Sequence, residues 1–472
     1  MKILIRNDKE LEISRANLTE FLSTIEKIEK ENSLSALSSR KQEIYLNALY
    51  GEVESLNTQI KEYEELKKGN INAIKLYDAT ELPIILIKYR IAKGLTESSL
   101  ANRLGIEESE LIEHEENLFA DANPELIKKI IHILEVEVPP TLDEMLSKSC
   151  KQITSNLKKV TEDLFNRLLP YELRDEYNLV DGYLKLFSTV KRIFNDQSNG
   201  ILLGSNIDYS PLVDARYKVP RGSQPQKIYM YTSYAYHIAK EISKFVSLPQ
   251  QELPTDPVKF KKEVIRNYGE FNLESCTNYI WDLGIPIIPL KIKGGFHGAC
   301  WRFDGRNVII LKQQSTSNSR WLFDLLHEYW HATQDTHLKE RNVIDLTETL
   351  STHNEDQEEI DANDFAKNVI FDGKCEELFD ECYEQSHGRI KNMKSAVVRV
   401  ATSHNIDAGS LANYVAFELS KMEVKWWGAA QNIQVKGDPF TTTSAILEER
   451  IDIDEVDDSL NKEILQTALL AI

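Results

Sequence analysis

Apolar residues return at helical intervals along the first part of the chain. Leu18, Phe21, Leu22, Ile25 and Ile28 recur at steps near three and four, and Leu49, Val53, Leu56, Ile60 and Tyr63 alternate by four and three. The second stripe has a 3.5-residue period, which suits a coiled-coil seam, so residues 1–77 are predicted to form a helical hairpin. That seam either closes the hairpin on itself or joins two copies, and a homodimer is the expectation. Over 78–140 the pattern shortens into five helices between 82 and 138. Gly94-Leu95-Thr96 supplies a turn and an N-cap, and Gly105 ends the next helix after Leu104. The helices at 96–104 and 107–117 make a helix-turn-helix pattern.

Residues 141–224 read as a helical connector and a linker, the linker beginning near Asp196 and rich in Gly, Ser, Pro and Tyr. Beyond it the pattern mixes types. Helices near 231–245 and 256–268 precede a short apolar strand at 285–290. Two alternating runs, 297–303 and 307–312, then flank Asp304-Gly305, a type I′ hairpin signal. A further helix follows, capped by Ser317, Asn318 or Ser319. The tail, 437–472, carries several carboxylates and then an amphipathic stretch, Ile464, Leu465, Ala468 and Leu469, predicted to pack back as a closing helix.

Composition changes this picture in three ways. At 472 residues, two to four domains are expected. No apolar run approaches the roughly 18 to 20 residues of a membrane span, and the N-terminus lacks a secretory signal, so a cytoplasmic protein with no membrane partner is expected. Five scattered cysteines with no Cys-x-x-Cys pair argue against a disulfide framework or a thiolate metal site. With 56 basic and 75 acidic residues the formal charge is −19, so nucleic-acid binding would need a local basic face.

The candidate chemistry lies at His327-Glu328-Tyr329-Trp330-His331. On a helix, histidines four apart project from one face and can share an ion, which this spacing predicts to be Zn²⁺. Glu328, beside the first of them, stands where a general base can take the proton of a metal-bound water. A peptidase zinc needs a third protein ligand and one open position. Glu359 is the leading choice, because Glu359, Ala362, Asn363 and Ala366 share one helix face whose small residues permit close approach. Glu358 and Asp361 fall on other faces and are expected in solvent, while Glu348 and Glu355 stay open as alternatives.

The run from Trp281-Asp-Leu-Gly-Ile-Pro, through Gly295-Phe-His-Gly-Ala and Val308-Ile-Ile-Leu, to Arg320…His331 and Glu359-Ile-Asp-Ala-Asn-Asp-Phe-Ala resembles the ImmA/IrrE metallo-endopeptidases. The likeness covers roughly 225–436. It implies a small α+β zincin-like (gluzincin-like) peptidase domain within a mostly α chain, with zinc on His327, His331 and Glu359 and Glu328 as base. It also implies a protein substrate, since several family members cleave helix-turn-helix repressors. The usual motif is His-Glu-Leu-Gly-His, so the bulk of Tyr329 and Trp330 is expected to reshape the adjacent groove. Gly298, Ala299, Cys300 and Trp301 are a candidate edge strand for substrate. His404 is a candidate oxyanion stabiliser, with a packed histidine as the plainer reading.

Residues 82–138 resemble the lambda-repressor-like (XRE) DNA-binding domain through Leu100-Ala-Asn-Arg-Leu-Gly-Ile, His114-Glu115 and Ile133-Leu-Glu-Val. With the hairpin before it, the region also resembles antitoxins of the HigA kind. Yet its second helix, 107–117, holds six Glu and no Lys or Arg, and 82–138 sums to 6 − 11 = −5. Because Lys and Arg on phosphates supply most affinity for duplex DNA, a protein partner is expected at Glu107, Ser109, Glu110, Glu113 and His114 rather than DNA. Basic surface from elsewhere, such as Arg216, Lys218 and Arg221, is the route by which DNA binding would survive. Two functions remain in view: an intracellular zinc endopeptidase acting on a regulatory protein, and an antitoxin or repressor that uses the peptidase fold as a platform for binding a toxin or promoter.

Overall fold

Helix-forming stripes dominate the chain, and a computed structural model shows a mostly helical protein with one small mixed sheet. It describes residues 4–31, 39–71, 74, 81–119, 122, 124–136, 142–160, 179–194, 201–202, 225–246, 251–292, 298–313, 315–345 and 357–469. Most of the linker, including Arg216, Lys218 and Arg221, lies outside these residues, as do Glu348, Glu355 and His297. The chain divides into two compact units. One comprises Met1–Thr154, Asp175–Arg192 and Leu202–Gly204; the other comprises Ser155–Arg174, Ile193–Ile201 and Ser205–Ile472. Among the described residues no helix is long and apolar enough to cross a membrane.

In the first unit α1 (Asp8–Glu31) packs along α2 (Ser39–Lys67), burying Leu11, Ile25, Ile60 and Tyr63. Four short helices follow where five are predicted: α3 (Leu82–Ala92), α4 (Glu97–Leu104), α5 (Glu108–Glu116) and α6 (Pro124–Ile133). Thr96 caps α4 through its hydroxyl, and Gly105, at φ +76°, closes it in the left-handed region that a residue with a Cβ resists. Arg90 of α3 is buried and reaches across to Glu115 of α5, at 2.5 and 2.6 Å, while also donating to the carbonyls of Leu95 and Arg6. This buried ion pair fixes how α5 leans on α3. The chain continues through α7 (Leu142–Val160) and α8 (Leu179–Phe194).

The main run of the second unit carries α9 (Pro225–Phe245), α10 (Pro257–Tyr268) and α11 (Leu273–Asp282). Asp256 and Asn272 cap the last two, each accepting from a backbone N–H three residues on. Strands β1 (Ile287–Pro289), β2 (Gly298–Phe303), β3 (Arg306–Leu311) and β4 (Arg341–Asp345) form a sheet ordered β1-β3-β2-β4. The β2–β3 register, Phe303 opposite Arg306, leaves Asp304 and Gly305 as a two-residue turn with φ of +45° and +88°. Both positive angles are those of the expected type I′ turn. β1 runs parallel to β3, pairing Ile287 with Ile309.

Helix α12 (Asn318–Thr333) lies on this sheet, with Ser317 as its N-cap. Its C-terminal end is held by the hairpin: the buried Arg302 of β2 donates to the carbonyls of Ala332, Gln334 and Asp335, and Asn307 of β3 donates to Ala332. Those carbonyls lack partners within the helix, so a guanidinium there satisfies them and suits the negative end of the helix dipole. Helices α13 (Gln357–Phe371) and α16 (Ala408–Lys421) pack beside it, and α14 (Cys375–Gln385), α15 (Ile390–Ser403) and α17 (Trp427–Gln431) pack on these two. In the tail, α18 (Pro439–Arg450) packs on β1 and α11, and α19 (Ser459–Leu469) lies on α9 with Ile464, Leu465, Ala468 and Leu469 buried.

Candidate metal centre

Spacing on α12 puts His327 and His331 one turn apart, and both are fully buried. Their Nε2 atoms stand 3.2 Å from each other. Helix α13 crosses with Ala362 and Ala366 buried at the contact, and brings Glu359 within 3.3 Å of His327 Nε2 and 3.5 Å of His331 Nε2. One ligand atom from each of the three lies within 4.8 Å of the others, so the group can hold a metal ion.

The opposite ring nitrogens decide what this group is for. His327 Nδ1 lies 3.2 Å from Asn363 Oδ1, and His331 Nδ1 lies 2.8 Å from Glu358 Oε1. Neutral rings that donate from Nδ1 to these oxygens carry bare lone pairs on both Nε2 atoms. Glu359 Oε2, also buried, makes no hydrogen bond. Two lone pairs and a carboxylate thus converge on one point with no proton among them, an arrangement that repels itself unless a cation sits there. The residues therefore fit a metal ion.

Electrostatics agree. Burial lowers the pKa of His331, favouring the neutral ring that a metal needs. Burial pushes Glu359 upward, and only positive charge beside it, from a proton on His327 or from a cation among the three groups, holds the carboxyl below its usual range. Glu358 is opposed by burial in the same way, yet hydrogen bonds from His331 and Arg341 bring it down to about 2. Arg341, at the start of β4, is hydrogen-bonded to Glu358, donates to His331 O at 3.1 Å and reaches Asp335 at 3.2 Å. It fixes the carboxylate that fixes the histidine.

Glu328 is also buried, and its carboxylate lies against the backbone of Gly298. A Cβ at Gly298 would collide with Glu328 Oε1, so only glycine lets β2 and the motif glutamate approach this closely.

Several expectations are corrected. Glu358 is not a solvated bystander but the partner of His331, a role that no local spacing announces because Arg341 and His331 come from elsewhere in the chain. Asn363 was legible, four residues after Glu359 on the same face. Gly298, Ala299, Cys300 and Trp301 are not an edge strand: β2 is paired with β3 on one side and β4 on the other, so its backbone has no free hydrogen-bonding edge. Among the described residues the outer strands are β1 and β4. Tyr329 does not line a groove, while Trp330 is half-exposed. Tyr329 is buried against Phe260 and Phe365 and donates to Pro254 O at 3.0 Å, and Trp330 stacks on Phe365. His404 is neither packed in a core nor among the converging ligands; it caps α15, exposed, 2.7 Å from Glu381 of α14. In the first unit, Glu107, Ser109, Glu110 and Glu113 are exposed as expected, but His114 is buried against Phe119 and is not available to a partner. Asp361, half-buried, accepts from Gln357.

Comparison of the chain with protein-family models, curated proteins and solved structures returned no match.

Proposed function

We propose that this protein is a zinc-dependent endopeptidase of the ImmA/IrrE kind, its second unit a zincin-like domain acting on a regulatory protein. The observation that carries the reading is the convergence of two bare imidazole nitrogens and the Glu359 carboxylate, with Glu328 one residue along from the first ligand. A two-nitrogen, one-oxygen donor set suits Zn²⁺ and leaves a coordination position open. Zinc bound there would polarise a peptide carbonyl and bring a water's pKa towards neutrality.

The chain's own residues supply the rest. Glu328, in a site dried by the sheet beneath it, accepts the proton of the attacking water and returns it to the leaving amine. Asn363 and Glu358 keep each imidazole in the tautomer that presents Nε2, and Arg341 keeps Glu358 in place. As an outer strand among the described residues, β4 can pair with an extended substrate, a role that β2, paired on both sides, has no edge to fill. The lambda-repressor-like region of the first unit serves as a partner-binding module, because the exposed side of α5 bears Glu107, Glu108, Glu110 and Glu113 and would be repelled by phosphate.

The test is Glu328→Gln in the metal-loaded protein, incubated with the protein that this variant captures from cells. Metal content should stay at one ion per chain while cleavage of the captured protein slows by about 10² to 10⁴. Unchanged cleavage would remove Glu328 from the chemistry. A protein that only holds its partner would show no cleavage with either form.

A further inference from the structure

The first unit leaves apolar surface uncovered where α1, α3 and the end of α5 meet. A groove of about 380 Å³ opens there, its floor made by the buried Ile5 and Ile87 and its edges by Leu4, Ile13, Ile84 and Leu118. Ile13 is 52% exposed, and on α5 Ile112, one turn before the lining residue Glu116, is 37% exposed, so apolar surface continues from the groove along that helix. Leu118 follows α5 at φ +50°, in the left-handed region that a side chain resists, yet it stands half-exposed at the groove edge rather than packed in the core as Phe119 is.

Carboxylates outnumber cations around this groove. Glu10 and Glu116 share one guanidinium, Arg6, and the buried Arg90 serves both Glu115 and Glu97. Helix α5 itself holds Glu108, Glu110, Glu113, Glu115 and Glu116 with no lysine or arginine, and Glu108 and Glu113 are exposed beside Ile112. Main-chain pairing with a partner has no strand to use, since the strands among the described residues all lie in the second unit. A partner has to be held by side chains, as an amphipathic helix is held in an apolar groove.

We infer that this groove receives a helical segment of another protein, one that carries aliphatic residues at three- and four-residue spacing and lysine or arginine beside them. The aliphatic side chains cover Ile13, Ile84 and Leu118, and the cations meet the carboxylates of α1 and α5 that Arg6 and Arg90 leave incompletely neutralised. Duplex nucleic acid is repelled by the same carboxylates, and a second copy of this chain, at −19 overall, brings no excess of cations. The inference deepens the partner-binding reading of the first unit, on which it rests, and does not depend on the peptidase chemistry.

The experiment follows the fluorescence anisotropy of a labelled amphipathic peptide of leucine and lysine as the full chain is added. Two counterparts run beside it, one with glutamate for every lysine and one with serine for every leucine. The leucine-lysine peptide should bind more tightly than either counterpart by more than about tenfold, and added salt should weaken it. Ile13→Lys, at an exposed position, and Leu118→Gly, which suits the positive φ there, should each weaken that binding by about five- to thirtyfold with the circular dichroism spectrum unchanged. Val435→Lys, exposed in the second unit, should leave it as it was. If both groove variants bind like the unmodified chain while Glu110→Gln with Glu113→Gln weakens binding, the groove inference falls and the partner-binding reading of α5 stands. If the three peptides are indistinguishable, or a labelled DNA duplex binds the chain more tightly than the leucine-lysine peptide, both fall.

Discussion

Helices α5 and α12 are built from the same chemistry and put it to opposite use. Each carries histidine beside glutamate, yet α5 spreads Glu107, Glu108, Glu110 and Glu113 over solvent and buries His114 against Phe119 and Glu115 against Arg90, whereas α12 buries His327, Glu328 and His331 together. The difference lies in what crosses each helix. Against α5 come two cations, Arg90 on the buried Glu115 and Arg6 on Glu116 at its end, and no group that would complete a metal site. Against α12 comes α13, with two alanines at the contact and three side chains, Glu358, Glu359 and Asn363, that reach the imidazoles. A His-Glu pattern becomes a metal centre only when a second helix approaches closely enough to supply the remaining ligand and fix the tautomers.

Removing the ligand that the second helix brings tests this most directly. Glu359→Ala should take zinc from one per chain to well below that, measured by elemental analysis after gel filtration, and full retention would refute the assignment; Glu110→Ala on α5 should leave metal content untouched. Next in size is the ion pair that substitutes for chemistry in the first unit. Glu115→Ala takes from the buried Arg90 its closest carboxylate, leaving only Glu97 at 3.3 Å, and should destabilise that unit by about 3 kcal/mol in denaturant unfolding. The double change Arg90→Met with Glu115→Leu should recover most of the loss, and a failure to recover would mean that the pair does more than orient α5.

Glu358→Ala sharpens the comparison further, because it removes an orienting partner and no ligand. Zinc affinity should weaken by about 10- to 100-fold in a chelator competition, with Arg341→Ala following in the same direction and less far. An affinity equal to the unmodified protein's would make Glu358 a bystander after all. The smallest effect belongs to the exposed face of α5: Glu110→Gln with Glu113→Gln should change unfolding stability by less than about 0.5 kcal/mol, since solvated charges contribute little. A larger loss would show that this face is not simply solvated.

The parts of the molecule legible in sequence are those decided over a few residues. Thr96, Gly105, Asp256 and Ser317 cap helices because their side chains or φ angles answer backbone groups within one turn, and Asp304-Gly305 turns a hairpin because both accept positive φ. The pairing of His327 with His331, and of Glu359 with Asn363, follows from helical period alone. Errors arose wherever the deciding partner was remote. Sheet order placed β2 in the middle rather than at the edge, because β4 returns from beyond α12 to pair with it. Tyr329 sits in the core because α10 and α13 close over it with Phe260 and Phe365.

What the sequence by itself determined, then, is a helix able to bind a metal and a second helix with one acid on its small-residue face. Only the tertiary structure decided that Glu358 is a partner and not a surface charge, that Gly298 must lack a side chain for Glu328 to settle, and that His114 is out of reach. Each depends on a contact between elements far apart in the chain, where side-chain burial and the hydrogen-bonding needs of a buried group, rather than local period, set the outcome.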